Sequence, residues 1–82
     1  MLASHIPQHT PVFTAFIAAV TVTAATFGIS HAEARQSGNR FWVAYTSPTF
    51  NVTVHTEACS HRREAELRFE RAVIGDLTYT PN

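Results

Sequence analysis

Residues 41–56 read FWVAYTSPTFNVTVHT and contain two stretches with the composition of β-strands. The first, residues 41–46, is dense in aromatic and β-branched side chains, which pack well on a pleated sheet. In the second, residues 49–56, apolar and polar side chains alternate with the period of two that is typical of a half-buried strand. Its apolar face is expected to carry Phe50, Val52 and Val54. Pro48, which has no backbone N–H, separates the stretches, and the pattern predicts a β-hairpin.

The hairpin is followed by a stretch with helical periodicity, residues 60–74, SHRREAELRFERAVI. Ser60 is a suitable N-cap, and Gly75 is suitable for ending the helix. The expected apolar stripe comprises Ala65, Phe69, Ala72 and Val73. Two pairs of opposite charge at a spacing of four residues support the helix: Arg62 with Glu66, and Glu64 with Arg68. Residues 77–80, LTYT, have the composition of one further short strand.

The sequence thus predicts an α+β protein in which residues 41–82 form a small region of ββα or ββαβ order. Residues 35–40, RQSGNR, are polar and contain a glycine, so they are interpreted as a linker. No Asp, Glu, Lys or Arg precedes Glu33. This asymmetry of charge indicates that residues 1–34 are a segment with a role of their own.

That segment contains the uncharged stretch VFTAFIAAVTVTAATFGI at residues 12–29. As a helix it would be about 27 Å long, close to the ~30 Å of a hydrocarbon core. Residues 1–34 are therefore interpreted as a signal peptide or an N-terminal membrane anchor. Ala32-Glu33-Ala34 fits the small-x-small pattern of a cleavage site. For a transmembrane helix, Arg35 and Arg40 would mark the cytoplasmic flank.

Both interpretations predict that residues 11–30 contact the membrane or the secretion machinery. The expected location is secreted or periplasmic after cleavage, or membrane-anchored without it. The six basic residues are balanced by six acidic ones, so no net field attracts nucleic acid, and no nucleic-acid partner is expected.

The only cysteine is Cys59, so no intrachain disulfide can reinforce the small C-terminal region. Domains of this size usually need a disulfide, a metal or a partner to be stable. A protein partner or a homodimer is therefore expected.

Three candidate metal ligands, His55, Cys59 and His61, fall within seven residues at the junction of strand and helix. Thiolate and imidazole are ligands that Zn²⁺ prefers. A turn could bring the three together, although the second pair of ligands that is typical of structural zinc sites is missing. The alternative is a capping turn with a buried thiol and two surface histidines.

The sequence contains no phosphate-binding glycine loop and no spacing typical of a catalytic triad, so no enzymatic activity is expected. The first functional hypothesis is a small exported or membrane-tethered protein that acts through protein association. The second is a zinc-binding protein that uses His55, Cys59 and His61. The third is a truncated or over-predicted reading frame without a selected function.

Overall fold

The computed structural model describes residues 11–81 and is of the α+β class, as predicted. Its elements are α1 (Pro11–Phe27), β1 (Ala32–Ser37), β2 (Arg40–Thr46), β3 (Thr53–His55) and α2 (Arg62–Leu77). The strands form one antiparallel sheet in the order β1-β2-β3. Residues 1–10 of the predicted leader, and Asn82 of the predicted C-terminal region, lie outside the described residues.

Helix α1 ends at a glycine that turns the chain back toward the sheet. Gly28 has a φ of 71°, a conformation that glycine adopts without steric cost. Its N–H donates to the Ala25 carbonyl (3.3 Å), and the Ile29 N–H donates to the Ala24 carbonyl (2.8 Å). This pair of bonds is a Schellman motif, and the buried Ile29 supplies its apolar contact.

Strand β1 replaces most of the predicted linker, and the interpretation of residues 35–40 was wrong. Ala32 to Ser37 pair with Tyr45 to Arg40 in regular antiparallel register. The two residues between the strands are Gly38, with a φ of 59°, and Asn39. A glycine at the first position of a two-residue loop is the signal of a tight hairpin turn, and here it outweighs the polar composition of its neighbours.

The predicted hairpin is present as β2 and β3, but β3 is shorter than predicted. Of the expected apolar face only Val54 packs against the core, while Phe50 and Val52 are about half exposed in the loop before β3. That loop is closed by the Asn51 N–H, which donates to the Ser47 carbonyl (2.8 Å), and Asn51 has a φ of 56°. Residues 50–52 alternate between apolar and polar side chains, but they do not form part of the strand, because the chain turns there.

Helix α2 confirms the predicted stripe, because Ala65, Phe69 and Val73 are buried and the partly buried Ala72 packs against the core. It runs to Leu77, so Gly75 lies inside it and the predicted strand at residues 77–80 was wrong. Its N-cap is His61, without a side-chain hydrogen bond, and not Ser60. Both predicted ion pairs form: Arg62 with Glu66, and Glu64 with Arg68.

The core lies between the sheet and the two helices. Phe41, Val43 and Tyr45 alternate along β2 and face the helices. The ring of Phe16 in α1 packs edge-on against Phe41 (centroids 5.5 Å apart), and Phe69 in α2 packs against Tyr45 (5.4 Å). Both helices therefore cover one face of the sheet and leave the other face open.

The expectation of a transmembrane anchor was wrong. Among residues 11–81, no helix is both long enough and apolar enough to cross a bilayer. Helix α1 has 17 residues, about 26 Å of rise, and its alanines and threonines dilute its larger apolar side chains. Two of its residues, Phe16 and Val20, instead belong to the protein core.

Candidate functional site

The predicted zinc ligands lie in three different surroundings. His55 is exposed at the end of β3, where strand alternation places it on the open face beside Ala44. Cys59 is buried in the core, and its backbone pairs with Phe41. His61 is exposed at the N-terminus of α2. The three residues are close in sequence. In the structure His55 lies on the open face of the sheet, Cys59 lies in the core, and His61 lies at the N-terminus of α2.

Within the described residues, no group of three or more His, Cys, Asp or Glu side chains is positioned to hold a metal ion. The Cys59 thiol instead donates a weak hydrogen bond to the Glu57 carbonyl (3.4 Å). These positions match a buried thiol with two surface histidines, and the zinc hypothesis stays a prediction without a geometric site.

The unusual polar group of this protein is Asp76, in the last turn of α2. It is only 9% exposed, and it is the one charged residue that is buried in the described chain. Its Oδ1 atom has no hydrogen-bond partner, and no Arg or His of residues 11–81 forms an ion pair with it. Burial of a charge without a countercharge is costly, so this position calls for an explanation.

The loop between β2 and β3 holds the Asp76 backbone in place. The Thr49 hydroxyl donates to the Asp76 carbonyl (2.8 Å). The buried Ser47 hydroxyl accepts a hydrogen bond from the Phe50 N–H (3.0 Å), and the Ser47 N–H donates to the Val52 carbonyl (2.8 Å). These hydrogen bonds hold the loop in one conformation.

The surroundings keep Asp76 ionised. Hydrogen bonding from the Ser47 side chain, and then from Thr49, lowers the pKa of the Asp76 carboxyl below its ordinary value of 3.8 and outweighs the opposing effect of burial. Burial, with a contribution from the negative charge of Asp76, raises the pKa of the neighbouring Tyr45 phenol above 10.0. At neutral pH the site therefore combines a carboxylate with a protonated phenol.

The position on the helix adds to the electrostatic cost. The C-terminus of a helix carries a partial negative charge, which disfavours an acidic side chain there. No basic residue lies in the last turn of α2. The local potential is therefore negative, and no cation of the described chain neutralises it.

An open groove of about 260 Å³ lies over Asp76. The Phe50 and Tyr79 rings line it and pack edge-to-face against each other, with centroids 5.0 Å apart at an angle of 62°. The lining is otherwise apolar or small, and comprises Tyr45, Ser47, Val54, Ala72 and Gly75. An ideal Cβ at Gly75 would meet no atom within 4 Å, so the groove is open at this point.

A carboxylate beside aromatic rings is suited to a cationic group. Ammonium and guanidinium groups form charge-assisted hydrogen bonds with carboxylates and are attracted to the faces of aromatic rings. Among the described residues that line the groove, Asp76 is the only charged one. Together with the aromatic rings it can bind a cationic group.

Sequence reasoning missed this site. Asp76 lay beyond the predicted end of the helix, and Phe50 was assigned to a buried strand face. The available signal was the apolar sequence around a single acidic residue, VIGDLTY at residues 73–79. Comparisons of the chain with known protein families, with curated proteins and with solved structures gave no match.

Proposed function

We propose that this protein is a small binding module that associates with a partner polypeptide by accepting a cationic side chain into the groove over Asp76. The observation that carries the proposal is the buried Asp76 carboxylate, which has one unpartnered oxygen and forms no ion pair with a basic residue among residues 11–81. An arriving ammonium or guanidinium group would bring the missing countercharge next to the carboxylate. The proposal retains the expected role in protein association and involves no catalysis.

The surface around the groove favours a polypeptide partner over a free small cation. Two large side chains that line the groove, Phe50 and Tyr79, are about half exposed, and so are Val52 in the same loop and Leu77 next to Asp76 in sequence. Exposed apolar side chains that are concentrated in one region commonly mark protein interaction surfaces. Aromatic residues are enriched at the centres of such interfaces.

The test is an NMR titration of the full chain with blocked single amino acids. Nα-acetyl-lysine amide and Nα-acetyl-arginine amide are the cationic probes, and Nα-acetyl-norleucine amide is the neutral control. We expect the cationic probes to shift the amide signals of residues 47, 49–52 and 75–79, and the norleucine probe to shift them far less. Loss of one charge-assisted hydrogen bond in Asp76→Asn should weaken binding by about tenfold or more.

Two further variants separate the site from general charge effects. Gly75→Leu should block the groove, because its side chain would enter the open space beside Gly75. Glu70→Gln removes the same charge from α2 at a position outside the groove lining, and its binding should equal that of the wild type. Equal binding of norleucine and lysine probes, or a Glu70→Gln effect as large as that of Asp76→Asn, would refute the proposal.

A further inference from the structure

The outer edge of β1 is unpaired in the described chain, because the sheet order places this strand at one side. The Thr46 N–H donates to the His31 carbonyl (3.0 Å), which fixes the alternation of hydrogen bonds along β1. Since alternate residues of an antiparallel strand bond to opposite sides, the N–H and C=O groups of Ala32, Ala34 and Gln36 point outward. Three residues thus present a row of free donors and acceptors.

This edge carries two charged side chains, Glu33 and Arg35, but it lacks the other devices that normally prevent strand addition. β1 is six residues long and pairs regularly with β2 without a bulge, and it contains no proline and no lysine. Edge strands are usually protected by such features or by being short. The other edge strand, β3, is protected in this way, because it has only three residues.

From this geometry we propose that β1 pairs antiparallel with β1 of a second copy of the chain, about a twofold axis at Ala34. In this register Ala34 faces Ala34 of the second copy, and the outward groups of Ala32 face those of Gln36. Their three residue pairs would form about six backbone hydrogen bonds. The inference does not depend on the groove over Asp76, which lies at a different part of the molecule.

Charge selects this register over its neighbours. On the open face of the sheet, Glu33 of each copy would lie opposite Arg35 of the other. Within one copy these two side chains already form an ion pair (Arg35 Nη1 to Glu33 Oε1, 2.8 Å), so the dimer would join four alternating charges. A shift to the next register that preserves outward pairing would place Glu33 opposite Glu33, or Arg35 opposite Arg35. Like charges directly across a strand pair are destabilising.

The helix side of the same edge is also suited to a second copy. An open groove of about 410 Å³ runs between α1 and β1. Its apolar and small lining residues are Phe13, Ile17, Val20, Thr21, Ala32 and Ala34. A strand added at the β1 edge would cover this groove, and the alanine side chains that face it leave room for the second α1.

The test is the mass of the full chain in solution, measured by sedimentation across a concentration series. We expect a monomer–dimer equilibrium in the wild type. Ala34→Pro removes an outward N–H at the twofold axis without removing a bond to β2, so it should abolish the dimer while the circular dichroism spectrum is retained.

Charge reversal makes the register testable. Glu33→Arg and Arg35→Glu each place like charges in opposition, so each alone should weaken dimerisation by roughly tenfold. An equimolar mixture of the two variants should form heterodimers, because one chain then carries only arginine at positions 33 and 35 and the other carries only glutamate there. A wild type that stays monomeric, variants that dimerise as well as the wild type, or a mixture that fails to restore the dimer would each overturn the proposal.

Discussion

At the scale of single residues, Asp76 combines two opposing effects. Hydrogen bonding favours its ionised form, whereas burial and the C-terminal end of α2 disfavour it. The hydrogen bonding from Ser47 prevails, because the pKa of the carboxyl is lowered. Asp76 therefore stays negatively charged at a buried position, where its electrostatic interaction with a bound cation would be strong.

The lowered pKa predicts how acid affects stability. As pH falls, the unfolded chain protonates Asp76 near 3.8, before the folded chain does. The stabilisation from Asp76 is therefore complete above 3.8 and is lost as pH falls through the lower pKa of the folded state. In urea unfolding between about pH 6 and about pH 2, Asp76→Asn should lose less stability than the wild type on acidification. Identical losses in both proteins would contradict the assignment.

At the scale of elements, α1 has two kinds of surface. Phe16 and Val20 are buried against the sheet and α2, whereas Val12 is about half exposed and Val22 is largely exposed. A leader that serves only for export would not need one side that packs into the core of the protein. The buried side of α1 makes it a structural element of the described fold.

A pair of substitutions in α1 tests this role. Phe16 has no exposed surface, so Phe16→Ala should lower the free energy of unfolding by about 3–5 kcal/mol through lost burial and a cavity. Val22 is 65% exposed, and Val22→Ala should change that free energy by about 0.5 kcal/mol or less. Denaturant unfolding of both variants provides the measurement. Equal effects would show that α1 does not pack as described.

At the scale of the whole molecule, one core joins the two parts into which the sequence was divided. Cleavage after Ala34 would remove α1 together with half of β1. It would uncover Phe41, against which Phe16 of α1 packs. Export through a cleaved leader therefore remains a prediction that the packing of α1 does not favour.

This yields a prediction for the fragment of residues 35–82. Without α1 it should lack a cooperative thermal transition, because its sheet would be covered by only one helix and its core would be too small. The full chain, measured by circular dichroism under the same conditions, should show a cooperative transition. A fragment that unfolds as sharply as the full chain would establish that α1 is dispensable.

The sequence by itself determined the elements whose evidence is local. The β-branched and aromatic run at residues 41–46 and the stripe of Ala65, Phe69 and Val73 are each recognisable within a few residues. The turn at Gly38 and Asn39 is also a local signal, but residues 35–40 were interpreted as a linker and β1 was not predicted. Periodicity depends only on neighbours along the chain, so it can be recognised without knowledge of the fold.

Only the tertiary structure decided which surfaces meet. Whether α1 inserts in lipid or packs on a sheet depends on the presence of Phe41 and α2 beside it, which no local pattern records. The same holds for Asp76, whose burial arises because the loop at residues 47–52 folds over the end of α2. Contacts between residues far apart in sequence set burial and electrostatics, and these determine where binding chemistry can lie.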